Sequence, residues 1–384
     1  MKKRFALLLA LVMTAALFFG CGAKTSDTYK IGVNMELSGG VATYGQSTLE
    51  GIELAIKQVN ANGGINGKQV ELVKYDNKSD PAEATTIATK LMTQDNVLAI
   101  MGPATSGSFK STIPVALKNK VPVISASATV DDVTVDENGV KEYAFRICYN
   151  DSFQGNVLAQ YAANSLSGKT AVVLKDIAND YCKGVASSFS AAFIAAGGTV
   201  AGEESFSSGD TDFNAILTKV KNLDFDVLLL SAYYQEAGLI IKQARALGID
   251  CPILGPDGYD SPSLAELAGA DALNNVYYTN HYSSLDKDPS VLQFIADFNT
   301  EYGKDPDSFN ALGYDVAMFT VDAITRAAGS GEPTPEAVKD AMASASGFEG
   351  VTGSITVDES HNAVKGIVII KLENGVPVSS EKAG

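Results

Sequence analysis

Histidine is nearly missing from the 384-residue chain: there are two, His281 and His361. No H-E-x-x-H and no G-x-S-x-G string occurs, so neither a zincin helix nor a nucleophile elbow is written here. A phosphate-cradling G-x-x-x-x-G-K-[ST] loop is absent too. Cysteine is scarce: Cys21, Cys148, Cys182 and Cys251. Apart from Cys21 the number is odd, so at most one disulfide can form and one thiol is left over. Their spacings fit no zinc pattern, and they read as small buried hydrophobes. Basic residues are outnumbered, 29 against 45 acidic, for a formal charge of −16. An acidic body of this kind does not hold nucleic acid or anionic lipid through bulk electrostatics; the charge reads as solubility. So many carboxylates always permit some acid–base pair, but no constellation supports one. The expectation is no enzyme activity, no metal and no cofactor. There is no low-complexity tract, and no apolar run beyond the first twenty residues is long enough to span a bilayer.

What is present begins with a processing signal over residues 1–20. Lys2, Lys3 and Arg4 form a basic head, and an apolar stretch over 5–19 follows, broken only by Thr14. It is shorter than the ~20 residues of a membrane span and fits a secretory signal. The run ends in Leu17-Phe18-Phe19-Gly20-Cys21, which resembles a bacterial lipobox, with Phe18 where Leu is usual. The resemblance implies a lipidated Cys21 as mature N-terminus; the other reading is an ordinary signal peptide cleaved nearby. Two acyl chains suffice for stable anchoring. Residues 21–28 would be a polar tether, placing the body at the outer face of the cytoplasmic membrane, in the periplasm of a diderm. Loss of the three basic residues takes the charge from −16 to −19.

Past the tether, strand and helix alternate. A strand over 29–35 precedes a helix over 48–60 with an apolar stripe from Leu49 to Val59. Further strands are expected over 70–75, 97–101, 121–125 and 143–147. Helices are expected over 81–94 and 106–119, with Pro81 in a first turn and Pro114 inside or kinking its helix. A second series runs through helix 151–166, strand 170–174, helix 181–196, strand 200–206, segment 213–220, strand 227–230, helix 236–247 and strand 253–254. Strands separated by 10–15-residue helices imply parallel sheets covered on both faces. Two series imply two doubly wound lobes. The last third is more helical, over 290–302, 310–328 and 335–345, and closes with strands over 354–357 and 366–372.

Several strings fall into this frame: Ser38-Gly39-Gly40-Val41-Ala42-Thr43-Tyr44-Gly45, Asn62-Gly63-Gly64-Ile65-Asn66-Gly67-Lys68, Tyr75-Asp76-Asn77, Gly255-Pro256-Asp257-Gly258 and Gly313-Tyr314-Asp315. With the export signal and the βα order they resemble the branched-chain amino-acid-binding proteins that serve ABC transporters. The resemblance spans the whole mature chain and implies an α/β, type I periplasmic-binding-protein fold. Its two doubly wound parallel-sheet lobes are joined by three hinge crossings, expected near 147–151, 279–282 and 351–354. Residues 29–148 with 281–352 would form lobe 1, and 149–280 with 353–384 lobe 2.

An amino acid needs donors for its carboxylate, a negative group for its ammonium and a wall for its side chain. Ligands of open α/β sheets sit beyond the carboxyl ends of the strands. Ser106 opens a helix after strand 97–101, where a hydroxyl and free N–H groups suit a carboxylate; alone it would be an N-cap. The resemblance assigns it that ligand role, together with the backbone of Ser127 and the hydroxyl of Thr129. Asp257 follows strand 253–254 where the family commonly has Glu as ammonium partner; Pro-Asp-Gly is also a common turn. Tyr44, Tyr181 and Tyr233 correspond to cleft-facing positions, with Tyr234 an adjacent alternative to Tyr233, and Phe309 adds to the side-chain pocket.

The resemblance thus implies a monomeric receptor that closes by a hinge around an amino acid, most plainly Leu, Ile or Val, and delivers it to a permease with its ATPase subunits. Alanine, aromatic acids and amides are alternative ligands, and a sensory role toward a membrane receptor is an alternative function. An enzyme on the same architecture would instead show turnover and an acid–base pair in the pocket.

Overall fold

The computed structural model describes residues 28–329 and 331–383. The signal segment, Cys21 and most of the tether lie outside them. Two sheets organise the rest. The first has five strands, in the order Gln69–Asp76, Thr28–Met35, Ile100–Met101, Val123–Ser125, Ala144–Arg146, all parallel. The second has seven: Val376–Ala383, Ile367–Glu373, Val276–Asn280, Ile253–Gly255, Val227–Ser231, Thr170–Asp176, Thr199–Phe206. Its last five are parallel, and the two C-terminal strands add antiparallel at the edge.

Burial explains the strand sequences. Val227–Ser231 and Val276–Asn280 are buried at every position, as a sheet covered on both faces demands. The edge strand Thr199–Phe206 alternates between more and less exposed positions. Helices begin where their caps predict. Asp80 accepts from the Glu83 N–H ahead of Pro81, and Asp307 and Asn310 form a reciprocal capping box. Pro114 sits inside the helix Ser106–Asn119, which runs through it.

The helix expected over 48–60 spans Ala42–Ala61, so Tyr44 lies in its first turn. The helices Pro81–Lys90 and Asp151–Gln160 each continue into a wide turn, Leu91–Asp95 and Tyr161–Ser165. The helices Ala42–Ala61 and Ser308–Ala328 cross at two glycines. A Cβ on Gly51 would stand 2.0 Å from the Asn310 carbonyl, and one on Gly313 2.1 Å from that of Thr48. Pro289–Tyr302 packs on the same face through the cluster of Tyr282, Phe294 and Phe298.

The chain leaves the first sheet after Arg146 for the helix Asp151–Gln160, which packs on the second lobe's Asp180–Ala195. It returns after Asn280. Strands Phe348–Gly350, Gly353–Val357 and Ala363–Val364 then form a small sheet beside the first lobe. There Arg146, wholly buried, donates through Nε to Asn362 Oδ1 (2.8 Å), and His361 Nδ1 meets the Ala144 carbonyl (3.1 Å). The chain joins the seven-stranded sheet only at Ile367, later than the crossing expected at 351–354. The reason is that Asp315 and Arg146 tether this stretch to the first lobe: Asp315 accepts from the Val351 and Thr352 N–H groups. Cys148, Cys182 and Cys251 are free thiols, the first two buried. Among the described residues no cluster of three metal-ligating side chains occurs, and no helix is long and apolar enough to cross a membrane.

Candidate functional site

The strand order places the site. Counted along the chain, the parallel strands of each lobe run 2-1-3-4-5, and the crevice of such a sheet opens between strands 1 and 3, beyond their carboxyl ends. In the first lobe these ends are Met35 and Met101. In the second they are Asp176 and Ser231. The segments that follow, loops and the first turns of helices, carry Tyr44 and residues 102–106 on one side, Tyr181 and Tyr233 on the other. The two crevices face each other, and a cavity between them is lined by Tyr44, Ala104, Thr105, Ser106, Ser127, Tyr181, Tyr233, Asp257, Gly258 and Phe309.

On the first lobe the loops are tied together by side-chain bonds to backbone. Buried Glu36 accepts from the N–H groups of Ala104 (3.0 Å) and Thr105 (3.1 Å) and from the Thr105 hydroxyl (2.7 Å). Thr105 is therefore spent on Glu36, and no side chain caps the helix Ser106–Asn119. The first N–H groups of a helix have no intrahelical acceptor, so they remain available to an anion at the cavity. Ser106 Oγ accepts from the Val130 N–H (3.2 Å), and Ser127 Oγ donates to the Ala104 carbonyl (2.9 Å). Thr129 lies outside the cavity lining. Its carbonyl accepts from Arg146 Nη1 (2.8 Å) and from the Asp151 N–H (2.9 Å).

On the second lobe Asp257 is buried, and each carboxylate oxygen meets one side chain. The Tyr181 hydroxyl donates to Oδ1 (2.6 Å), and His281 Nε2 lies 3.1 Å from Oδ2. Its backbone N–H reaches Gln154 Oε1 (3.3 Å), which also accepts from the Thr279 hydroxyl (2.9 Å). Burial pushes the Tyr44, Tyr181 and Tyr233 phenols well above the usual range, with the Asp257 charge adding to the first two; all three stay neutral donors. Burial and the charge of Asp257 push Asp151 well up as well.

Four rings form the walls. Tyr44 stacks on Phe309 at 4.4 Å, and Tyr181 on Tyr233 at 5.2 Å; Tyr44 meets the edges of Tyr233 and Tyr234 at 5.5 and 5.0 Å. Gly258 holds both stacks, its N–H donating to the Tyr181 hydroxyl (2.9 Å) and its carbonyl accepting from that of Tyr44. The Tyr44 hydroxyl also accepts from the Tyr234 N–H (3.2 Å). Thr43 Oγ1 to the Tyr234 hydroxyl (2.9 Å) and the Ser308 N–H to Asp260 (2.8 Å) further join the lobes. The lobes are therefore drawn together around the cavity.

Seven side chains singled out from the sequence, Tyr44, Ser106, Ser127, Tyr181, Tyr233, Asp257 and Phe309, share this lining; Thr129 does not, and Cys21 lies outside the described residues. Gly258, His281, Gln154 and Glu36 were not found that way. His281 directly follows the strand Val276–Asn280, beyond its carboxyl end, a place that becomes a candidate only once that strand is recognised.

Comparison with known proteins matches residues 28–376 to a family described as periplasmic binding protein. The leucine-, isoleucine-, valine-, threonine- and alanine-binding protein of Pseudomonas aeruginosa is 32% identical over 89% of this chain and 88% of its own length. The Leu/Ile/Val-binding protein BraC3 of Rhizobium johnstonii is 29% identical over 97% and 99%. Among solved structures, the branched-chain amino acid transporter substrate-binding protein LivJ of Streptococcus pneumoniae, in complex with isoleucine, superposes with a TM-score of 0.88 at 39% identity, covering 93% of this chain and all of that one. The leucine-binding protein LivK of Thermotoga maritima gives 0.85 at 33%, covering 92% and 98%.

Proposed function

The chain belongs to the periplasmic binding protein family, and on that premise we propose that it captures a branched-chain aliphatic amino acid between its lobes and presents it to an ABC importer. One observation carries this reading: an uncapped helix start at Ser106 and the buried carboxylate of Asp257 line the same aromatic-walled cavity, one on each lobe. A zwitterion requires that pair of opposite partners. The Ser106 hydroxyl and helix N–H groups take the carboxylate, with the Ser127 backbone in support; Thr129, outside the cavity lining, has no part in it. Asp257 takes the ammonium. Tyr44, Tyr181, Tyr233 and Phe309 enclose the aliphatic side chain, whose burial contributes about 1.5–3 kcal/mol. The family is one of transport receptors, and binding calls for no covalent step.

The moving bodies in this reading are the two lobes, with the boundaries drawn from the sequence adjusted so that residues up to Val364 travel with the first. A ligand that touches both lobes stabilises the closed form by its differential affinity for that form. The closed receptor meets the permease as a monomer, held at the outer face of the cytoplasmic membrane through a lipid on Cys21. The signal-like composition of residues 1–20 supports export, and the Leu-Phe-Phe-Gly-Cys string supports the anchor.

A thermal-shift panel over the twenty amino acids tests the ligand class. At 100 times its dissociation constant a ligand adds ~2.7 kcal/mol of stability. The reading expects Leu, Ile and Val to give the largest shifts. No shift with any of the three overturns it.

A further inference from the structure

We infer that His281 is a positioning residue for the ammonium subsite: as a neutral donor it fixes the Asp257 carboxylate while leaving its negative charge uncancelled. The inference rests on the amino-acid reading above.

The geometry comes from two neighbouring parallel strands. Ile253–Gly255 pairs with Val276–Asn280 in a register that sets Gly255 opposite Tyr278. Asp257 and His281 therefore emerge beyond the same sheet edge, where their side chains meet at 3.1 Å with 5% and 1% of their surfaces exposed. The imidazole cannot swing away, because its ring is stacked on Tyr149 at 3.7 Å and 17°. The backbone beside it is fixed too, the His281 N–H donating to Asn280 Oδ1 (2.8 Å).

A histidine facing a carboxylate could carry one ring proton or two, and the surroundings decide. Burial lowers its pKa to about 4; the charge of Lys365 acts in the same direction, and Asp257 and Asp260 oppose it. On the element packed against it, Tyr149 is held neutral by burial. Asp151, two residues beyond Tyr149, is pushed up by burial, with the charge of Asp257 acting in the same direction. The ring therefore holds a single proton at neutral pH. That proton belongs on Nε2, since a bare nitrogen facing a carboxylate would set lone pair against lone pair. The other nitrogen agrees: Nδ1 is buried and has no hydrogen-bond partner among the described residues, the state a lone pair tolerates better than an N–H.

The result is a carboxylate with one neutral donor on each oxygen, Tyr181 on Oδ1 and His281 on Oδ2. A lysine or arginine at position 281 would hold Asp257 as firmly but would cancel the charge that a ligand ammonium needs. Tyr181 alone would leave the short side chain free to turn about its last bond.

The test uses wild-type protein, His281→Gln and His281→Leu. Calorimetry compares leucine with 4-methylpentanoate, which keeps the carboxylate and side chain and lacks the ammonium. In His281→Leu leucine weakens roughly tenfold or more, the loss of one hydrogen bond to a charged group, while 4-methylpentanoate stays within about twofold. Glutamine, whose Nε2–H can reach the same oxygen, recovers most of the leucine affinity. Equal weakening of both ligands, or of neither, overturns the inference. Nitrogen-15 NMR of the histidines in unliganded wild type gives an answer free of both variants and ligand. With only two histidines in the chain the spectrum is readily assigned. The inference expects His281 as the neutral Nε2–H tautomer from pH 8 down to about 5. An imidazolium or an Nδ1–H tautomer at pH 7 refutes it. Wild type that shows the Nε2–H tautomer and binds no leucine would overturn the ligand reading alone.

Discussion

A single methyl group at Gly258 should separate lobe closure from lobe folding. A Cβ built there stands 3.0 Å from both the Tyr181 and Tyr44 hydroxyls and 3.3 Å from a Tyr233 ring carbon. Tyr181 and Tyr233 belong to the same lobe as Gly258, but Tyr44 belongs to the other. In an opened molecule the clash with Tyr44 vanishes, so Gly258→Ala penalises the closed form selectively. The bonds at risk are those of the Tyr44 hydroxyl with the Gly258 carbonyl and the Tyr234 N–H. At about 0.5–1.5 kcal/mol each, their loss costs ~1–3 kcal/mol of closure, which raises the dissociation constant roughly 5- to 150-fold. Calorimetric titration with leucine reads the affinity, and thermal unfolding without ligand checks the fold. Tyr44→Phe removes the same two bonds without adding bulk and should fall in the same range. Leucine affinity within about twofold of wild type in both variants would refute the idea that these contacts close the cleft.

Asp257→Asn keeps the shape and removes the charge, and should weaken leucine by about 2–5 kcal/mol while the unliganded protein remains folded by circular dichroism. Glu36→Gln should lower stability by about 1.5–3 kcal/mol in urea unfolding, because a buried carboxylate accepting from Ala104 and Thr105 loses its charge-assisted bonds. Asp307 tests a pH effect. Burial and the neighbouring Asp260 raise its pKa to about 7, so the folded chain keeps this proton when the unfolded chain has lost it. Wild-type stability from this group therefore falls as pH rises from about 4 to 7. Asn retains a cap for the helix, so Asp307→Asn should gain over wild type at pH 8 and show no gain at pH 4; the opposite order in urea midpoints would contradict the assignment. Burial pushes Cys148 to about 12 and Cys182 well above its usual value, so neither should react with a thiol reagent at pH 8 until the protein is denatured.

The βα alternation was legible because each covered strand is a short apolar block and each helix carries its own stripe. Once parallel strands are read, the residues just past their ends become candidates. Ser106, Ser127, Tyr181, Tyr233 and Asp257 lie at such ends, and the family resemblance is what singled them out there. Tyr44 was reached with its helix begun too late, since Gly39, Gly40 and Gly45 look like loop and Gly45 in fact lies within the helix Ala42–Ala61. Residues that act through another segment were not legible. Gly258 matters through Tyr44, 214 positions away, and Gln154 through Asp257, 103 away. No periodicity marks such contacts. The strand Val276–Asn280 escaped because its Tyr-Tyr-Thr centre does not resemble a buried apolar run, and His281 escaped with it. The final strand Val376–Ala383 is an exposed, charged edge, and only its pairing with Ile367–Glu373 reveals it. The tethers on Asp315 and Arg146, which precede the return to the second sheet at Ile367, join distant segments and leave no mark in the sequence pattern.

The central claim is that a zwitterion lies between the Ser106 helix start and Asp257. Calorimetric titration of the protein from Gly22 onward with leucine, 4-methylpentanoate and 3-methylbutylamine tests it at both ends of the ligand. Leucine should bind at one site per chain, and each analogue, lacking one charged group, should lose at least about 2 kcal/mol. Binding of either analogue as tight as that of leucine would show that the corresponding end of the cavity does not hold a charge.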